Sequence, residues 1–201
     1  MTVSDFQVTW DYRCPFARNF CEHVVVALQG GAPWDVTFIP FSLDQVHVEE
    51  GEVDAWDNPG ACRSLLAGQV GVVVRDKWPD KFLAAHVALF ASRHDQGGDL
   101  RDEEVLREAL TSVGLDADEV FAEIEAGWPL ETFRKEHERV VADHRCFGVP
   151  TVIVGDSAVF VRVMDRPRGD ADKARQTVER ALDLLVRWPQ LNEFKHTSIP
   201  R

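Results

Sequence analysis

Strand-type alternation occurs only near the two ends of this chain, and roughly 90 residues of helical periodicity (53–145) lie between. That separation limits the folds available, because short strands are stable only beside others. At the first end Phe6, Val8 and Trp10 point one way while Gln7 and Thr9 point the other. A helix is expected from Pro15 to Leu28. Pro15 suits its first turn, where the missing N–H is not needed, and Gly30-Gly31 supplies the stop. The β-branched run Val24-Val25-Val26 is a weak helix former, but Phe16, Phe20, Val24 and Leu28 recur at spacing four. A second strand, Asp35 to Phe41, completes a β-α-β unit.

Turn signals at Asn58-Pro59-Gly60, Trp78-Pro79-Asp80, Gln96-Gly97-Gly98, Gly114 and Trp128-Pro129 cut the middle into roughly five short helices. The last, about Leu130 to Arg145, sets Leu130, Phe133, His137, Val140, Val141 and His144 on one stripe. Strands return at 151–154 and 157–163, joined by Gly155-Asp156 as a tight hairpin whose glycine takes a positive φ. A closing helix, Ala171 to Trp188, turns Ala174, Val178, Leu182 and Leu185 inward. The expected architecture is α/β. A β-α-β and a β-β-α unit form one domain from 1–52 and 146–201, and an all-helical domain, 53–145, is inserted between them.

The chain has 34 acidic and 22 basic residues among 201, a formal net charge of −12. Nucleic acid and anionic membrane surfaces need concentrated Lys and Arg, so neither is an expected partner. The longest uncharged apolar stretch, Ser64 to Val74, is too short for a span of about 18–20 residues. Met1-Thr2-Val3-Ser4-Asp5 has no basic leader before an apolar run, which makes the cytoplasm the expected compartment. Cys14, Cys21, Cys62 and Cys146 are too few for a disulfide scaffold and are expected as thiols unless one does redox work. The pairs His137/His144 and His86/His94 lack the three- or four-residue spacing of a helical metal site. They read as histidines at the edges of packed stripes, and no metal is expected. His23 points away from Cys14 by helical rotation.

Asp11-Tyr12-Arg13-Cys14-Pro15-Phe16-Ala17 spans the hand-over from the first strand to the first helix. A cysteine just before a helix has its sulfur beside unsatisfied N–H groups and the positive end of the helix dipole. Both favour the nucleophilic thiolate, and Arg13 and Arg18 add to this if their side chains fold back. Cys14 is therefore expected to titrate well below the free-thiol value of about 8.5.

These residues, with Phe147-Gly148-Val149-Pro150-Thr151 far downstream, resemble the DsbA-like branch of the thioredoxin superfamily. The resemblance covers nearly the whole chain and implies a thioredoxin fold with a helical domain between its halves. It implies that Pro150 is cis and opposite Cys14, with the backbone of Val149 pairing to the bound thiol substrate. It also implies a catalytic Cys14 among the thiol- or substrate-binding residues Tyr12, Arg13, Pro15, Phe16, Ala17, Val149, Pro150 and Thr151. Family oxidoreductases carry Cys-x-x-Cys, whereas the fourth position here is Ala17, so two-cysteine transfer within the motif is impossible. Cys21 is about 10 Å away by helical rise, beyond the Cα separation of about 7 Å that a disulfide tolerates, and reads as a buried thiol. Cys146 is the remaining candidate resolving thiol near the site, and Cys62 reads as inert.

A single reactive cysteine leaves monothiol exchange, in which Cys14 forms a mixed disulfide that a second small thiol releases. No cofactor is expected to be tightly bound. A low-molecular-weight thiol, mycothiol or glutathione, is the expected co-substrate, with a disulfide or electrophile as the other partner and a monomer or homodimer as the assembly. The chain is also similar to class kappa glutathione transferases and 2-hydroxychromene-2-carboxylate isomerases, which usually have serine at the Cys14 position. They hold glutathione partly by a Ser-Asp-Arg-like stretch; the corresponding Met164-Asp165-Arg166 adds Asp165 and Arg166 to the thiol-binding set. Arg166-Pro167-Arg168-Gly169-Asp170 and the tail Asn192-Glu193-Phe194-Lys195-His196-Thr197 resemble mycothiol-dependent nitroreductases, which implies a sugar-linked thiol. Two alternatives follow: a thiol-cofactor-dependent transferase or isomerase, and a redox-inactive binding module.

Overall fold

The computed structural model describes residues 3–193 together with 195 and 196. Strands β1 (Asp5–Trp10), β2 (Asp35–Pro40), β3 (Thr151–Val154) and β4 (Ser157–Phe160) form one sheet in the order β2-β1-β3-β4. β1 and β2 are parallel, with Phe6 opposite Val36 and Trp10 opposite Pro40. Helix α1 (Pro15–Gln29) makes the crossover between them. β3 is antiparallel to β1, with Val152 opposite Val8, and antiparallel to β4, with Val154 opposite Ser157. Gly155, at φ +55°, supplies the left-handed residue of that hairpin turn. Because β1 and β3 run in opposite directions, the residues just after β1 and just before β3 arrive at the same end of the sheet.

Between β2 and β3 the chain is helical. A one-turn α2 (Leu43–Val46) and a 3-10 turn (Pro59–Ala61) precede α3 (Leu65–Lys77), α4 (Pro79–His94), α5 (Glu103–Ser112), α6 (Ala117–Glu125) and α7 (Trp128–His144). After β4, α8 (Ala171–Arg187) starts at an Asp170 cap that accepts the Lys173 N–H, and it packs on α1, β3 and β4 through buried Ala174, Val178, Leu182 and Leu185. The main apolar cluster runs from Phe6, Val8 and Phe20 through Trp10 and Phe38 to Phe82, Leu89 and Phe90 of α4. Each such buried side chain contributes about 1.5–3 kcal/mol, so sheet and helical segment stabilise each other. The order of elements and the mixed four-stranded sheet are those of a thioredoxin fold with helices inserted between its halves.

Some details depart from the sequence reading. The strand after the hairpin stops at Phe160 instead of Val163: the Val161 N–H still bonds to Pro150 O in the β3–β4 register, but Pro150 has no N–H to return and the ladder ends there. α7 starts at Trp128, since Pro129 occupies its first turn and does not break it. Val141 is 38% exposed and lies off the stripe buried by Phe133, His137 and Val140. His86 and His137 are not edge residues: both are buried, His86 amid the rings of Trp10, Tyr12, Phe38, Phe82 and Phe90. Among the described residues no helix is long and apolar enough to cross a membrane. Phe194 and Thr197 of the tail motif lie outside the described residues.

Candidate active site

Cys14 is the N-cap of α1, with extended backbone (φ −87°, ψ 119°) and Pro15 in the first turn. Its thiol donates to Val149 O at 3.3 Å, and its sulfur accepts the Ala17 N–H at 3.5 Å. The Val149–Pro150 peptide bond is cis. The register explains the meeting. At the end of β1 the Thr9 hydroxyl accepts the Thr151 N–H at 2.8 Å, and the Thr151 hydroxyl donates to Gly148 O at 2.8 Å, fastening the loop ahead of β3.

Cys14 is only 8% exposed. Burial pushes its titration above the ordinary thiol value; the N–H groups of Ala17 and Phe16 pull it down, the Asp11 carboxylate pushes it up, and the Arg162 guanidinium pulls it down. Burial wins, which corrects the expectation of a thiolate formed well below the usual range. Neither expected arginine folds back on the sulfur. Arg13 reaches Asp44 at 2.6 Å, and Arg18 pairs with Glu22 at 2.9 Å and with Asp95.

Asp11 is 3% exposed and accepts the N–H groups of Arg13 and Leu43 at 2.8 and 2.9 Å. Burial raises its carboxyl pKa against the pull of those bonds. Its carbonyl accepts the Cys14 N–H at 3.0 Å, so one residue caps the loop from both its side chain and its backbone. Asp44 takes the Arg13 guanidinium on one oxygen and the N–H groups of Arg63 and Ser64 on the other, at 2.8 and 3.2 Å. Sequence reasoning missed both carboxylates as site residues. Asp11 stood inside the motif, but its partner Leu43 is 32 positions away.

The remaining expected residues divide by place. Tyr12 is a core residue: its hydroxyl lies 2.9 Å from His86 Nδ1 and would stand only 2.6 Å from a Cβ on Gly71. Only its backbone faces the loop, where Tyr12 O accepts from His94 Nε2 at 3.0 Å. Pro15 is exposed, Phe16 half-buried beneath Arg162 at 4.1 Å, and Ala17 buried. Val149, Pro150 and Thr151 are buried at the Cys14 side. Phe147 is 67% exposed and stands 5.3 Å from the Phe160 ring. Asp165 and Arg166 take other partners. Asp165 binds Lys173 at 2.5 Å and faces buried His23 at 3.8 Å, while Arg166 binds Glu22 at 2.6 Å and Asp95 at 3.4 Å.

All four cysteines are free and buried. Cys21 is wholly enclosed, and burial pushes its thiol well above the ordinary value. Cys62 donates to Ala55 O at 3.6 Å and is raised by burial to about 11. Cys146 is raised by burial as well. Among the described residues no group of three or more His, Cys, Asp or Glu side chains is arranged to hold a metal.

Fold and site together define a thioredoxin-type protein whose motif cysteine caps the first helix and faces a cis-proline loop. Residues 7–168 match the DSBA-like thioredoxin domain, and the chain belongs to that family. A relative described only as uncharacterized protein Rv2286c, from Mycobacterium tuberculosis, is 28% identical over 180 residues, which is 85% of this chain and 73% of that one. MdbA, a thiol-disulfide oxidoreductase from Actinomyces oris, superposes with a TM-score of 0.57 at 17% identity over 92% of this chain and 81% of its own. Reduced DsbA1 from Neisseria meningitidis gives 0.55 at 20% identity, covering 88% and 86% of the two chains. A periplasmic thioredoxin-like protein from Salmonella enterica serovar Typhimurium gives 0.56 at 19%, covering 89% and 83%. At these identities the likeness to the solved structures is one of fold.

Proposed function

We propose that this protein is a thiol-disulfide oxidoreductase working through Cys14 alone, with a low-molecular-weight thiol such as mycothiol or glutathione as its free co-substrate. The carrying observation is the Cys14 sulfur 3.3 Å from Val149 O beside the cis Pro150, with a buried alanine where a second motif cysteine would stand. MdbA, described as a thiol-disulfide oxidoreductase, supports the same chemistry here. Cys14 releases its proton to water, and the thiolate attacks one sulfur of a disulfide R–S–S–R′. A Cys14–S–S–R bond forms and R′–S⁻ leaves. A second thiolate then attacks the R sulfur, giving a new small disulfide and restoring the Cys14 thiolate. Asp165 and Arg166, paired with Lys173, Glu22 and Asp95, tie the segment after β4 to α1 and α8 in this scheme. A resting thiol that is protonated and unpaired suits a reducing compartment, which keeps the cytoplasm as the proposed location.

The test is reduction of a small mixed disulfide at the expense of free thiol. Cys14→Ser is expected to lose more than about 100-fold in turnover, as loss of a nucleophile does, while Cys21→Ser keeps it. Equal turnover in wild type and Cys14→Ser contradicts the proposal. The burial of Cys14 favours one second reading, the redox-inactive binding module; a wild type without turnover that binds an extended thiol peptide as tightly as Cys14→Ser selects it.

A further inference from the structure

Arg162 lies between two fastened residues. The Val161 N–H donates to Pro150 O at 2.9 Å, holding the chain to the cis-proline loop. Asn19 Nδ2 donates to Val163 O at 2.9 Å, holding it to α1. Cys14 stands between those same two elements, bonded to Val149 on one side and to Ala17 on the other. Arg162 itself is exposed, and its guanidinium lies 4.1 Å over the ring of Phe16, two residues along from the sulfur. Arg13, Arg18, Arg75 and Arg166 are neutralised by carboxylates, whereas Arg162 makes no ion pair among the described residues. In a chain of net charge −12 the overall field repels anions, so an anionic reactant needs a local cation. A guanidinium spread on an aromatic ring is pre-organised to take a carboxylate.

We infer that Arg162 is the specificity-determining residue of the Cys14 site, receiving a carboxylate carried by the incoming small disulfide or thiol. The substrate class is then acidic low-molecular-weight disulfides, the glutathione type of the two thiols proposed above and not the uncharged sugar-linked type, and that class rests on the exchange reading of Cys14. The same guanidinium pulls the Cys14 titration down, as a cation near the sulfur must. The charge opposing it, Asp11, is buried on the protein side of the loop and bonded to Arg13 and Leu43, out of an arriving ligand's reach.

Two reagents of like size and different charge test this without any redox step. Alkylation of Cys14 by anionic iodoacetate and by neutral iodoacetamide is measured at one pH by peptide mapping, in wild type, Arg162→Gln and the charge-matched control Arg187→Gln. The ratio of the two rates cancels any change in thiolate fraction. It is expected to fall by about 3–10-fold in Arg162→Gln, the scale of one nearby charge at a protein surface, and to hold in Arg187→Gln. An unchanged ratio in Arg162→Gln overturns the inference. A second arm follows mixed-disulfide formation at Cys14 with dithiodipropionate, a dianion, and cystamine, a dication. The dianion-to-dication rate ratio, which cancels the intrinsic reactivities of the two disulfides when compared between proteins, is expected to fall in Arg162→Gln relative to wild type; exchange with both at an unchanged ratio overturns it. No exchange with either disulfide, beside an alkylation ratio that responds to Arg162, defeats the exchange reading and leaves the anion site standing.

Discussion

At Cys14 the helix start and the burial of the sulfur act in opposite senses, and a neighbouring carboxylate adds to burial. Iodoacetamide labelling of Cys14 should therefore keep climbing with pH past the ordinary thiol range, since burial raises its pKa. A plateau below pH 8 would contradict this. Asp11→Asn removes the nearby negative charge, so its labelling curve should shift to lower pH than that of wild type. The amide also offers one acceptor oxygen where two are used, and the lost bond to a buried N–H should cost about 1–3 kcal/mol in urea unfolding. An unshifted labelling curve would remove Asp11 from the account. The place of Cys14 was legible because strand, cysteine and proline are neighbours in the chain. The sense of its pKa shift was not, because the enclosing surface comes from residues more than 130 positions away, as the Val149 contact shows.

Helix α1 carries Cys14 at its tip and is clamped two turns later. Arg18 binds Glu22 and Asp95, and Arg166 binds the same two carboxylates from the far side, closing a ring of four charges. Glu22 is enclosed while Arg166 is 38% exposed, so their removal should not cost the same. Glu22→Ala leaves Arg18 buried with one partner and should destabilise by about 3 kcal/mol. Arg166→Ala, discounted for solvent screening, should cost about 1 kcal/mol or less. Thermal unfolding of the two variants checks the order, and a larger loss in Arg166→Ala would contradict it. Most helices were readable from Pro, Gly and spacing-four signals that lie within a few residues. The end of β4 was not, because it is set by the proline that the register places opposite Val161, a residue 11 positions away with no N–H to continue the ladder. The part played by Arg166 was likewise hidden, since its partners sit on α1 and at the end of α4.

Across the whole molecule, the helical segment meets the sheet through neutral histidines. Burial lowers His86 to about 3 and His137 to about 4, from an ordinary 6.5. The unfolded chain binds these protons near 6.5, so the stability is fully present above that pH and falls as pH drops toward 4 and then 3. Each such histidine costs up to about 1.4 kcal/mol per pH unit across its window. Urea midpoints measured from pH 7.5 to 4.5 should fall steadily below about 6.5, and a flat profile would contradict the buried neutral rings. The β-α-β and β-β-α order was legible from the ends of the chain. The docking of α4 was not, because, although Phe82 and Phe90 flank His86 at spacing four on its own helix, nothing in that stretch shows that Trp10, Tyr12 and Phe38 from the sheet end will close around it.

The account as a whole turns on Cys14 exchanging by itself. Intact-mass and peptide analysis of wild-type protein, after incubation first with an oxidised small thiol and then with the reduced thiol, tests that most directly. One adduct is predicted on Cys14, absent from Cys14→Ser and removed by the second incubation. An adduct confined to another cysteine, or an internal Cys14–Cys146 disulfide in place of the adduct, would contradict it.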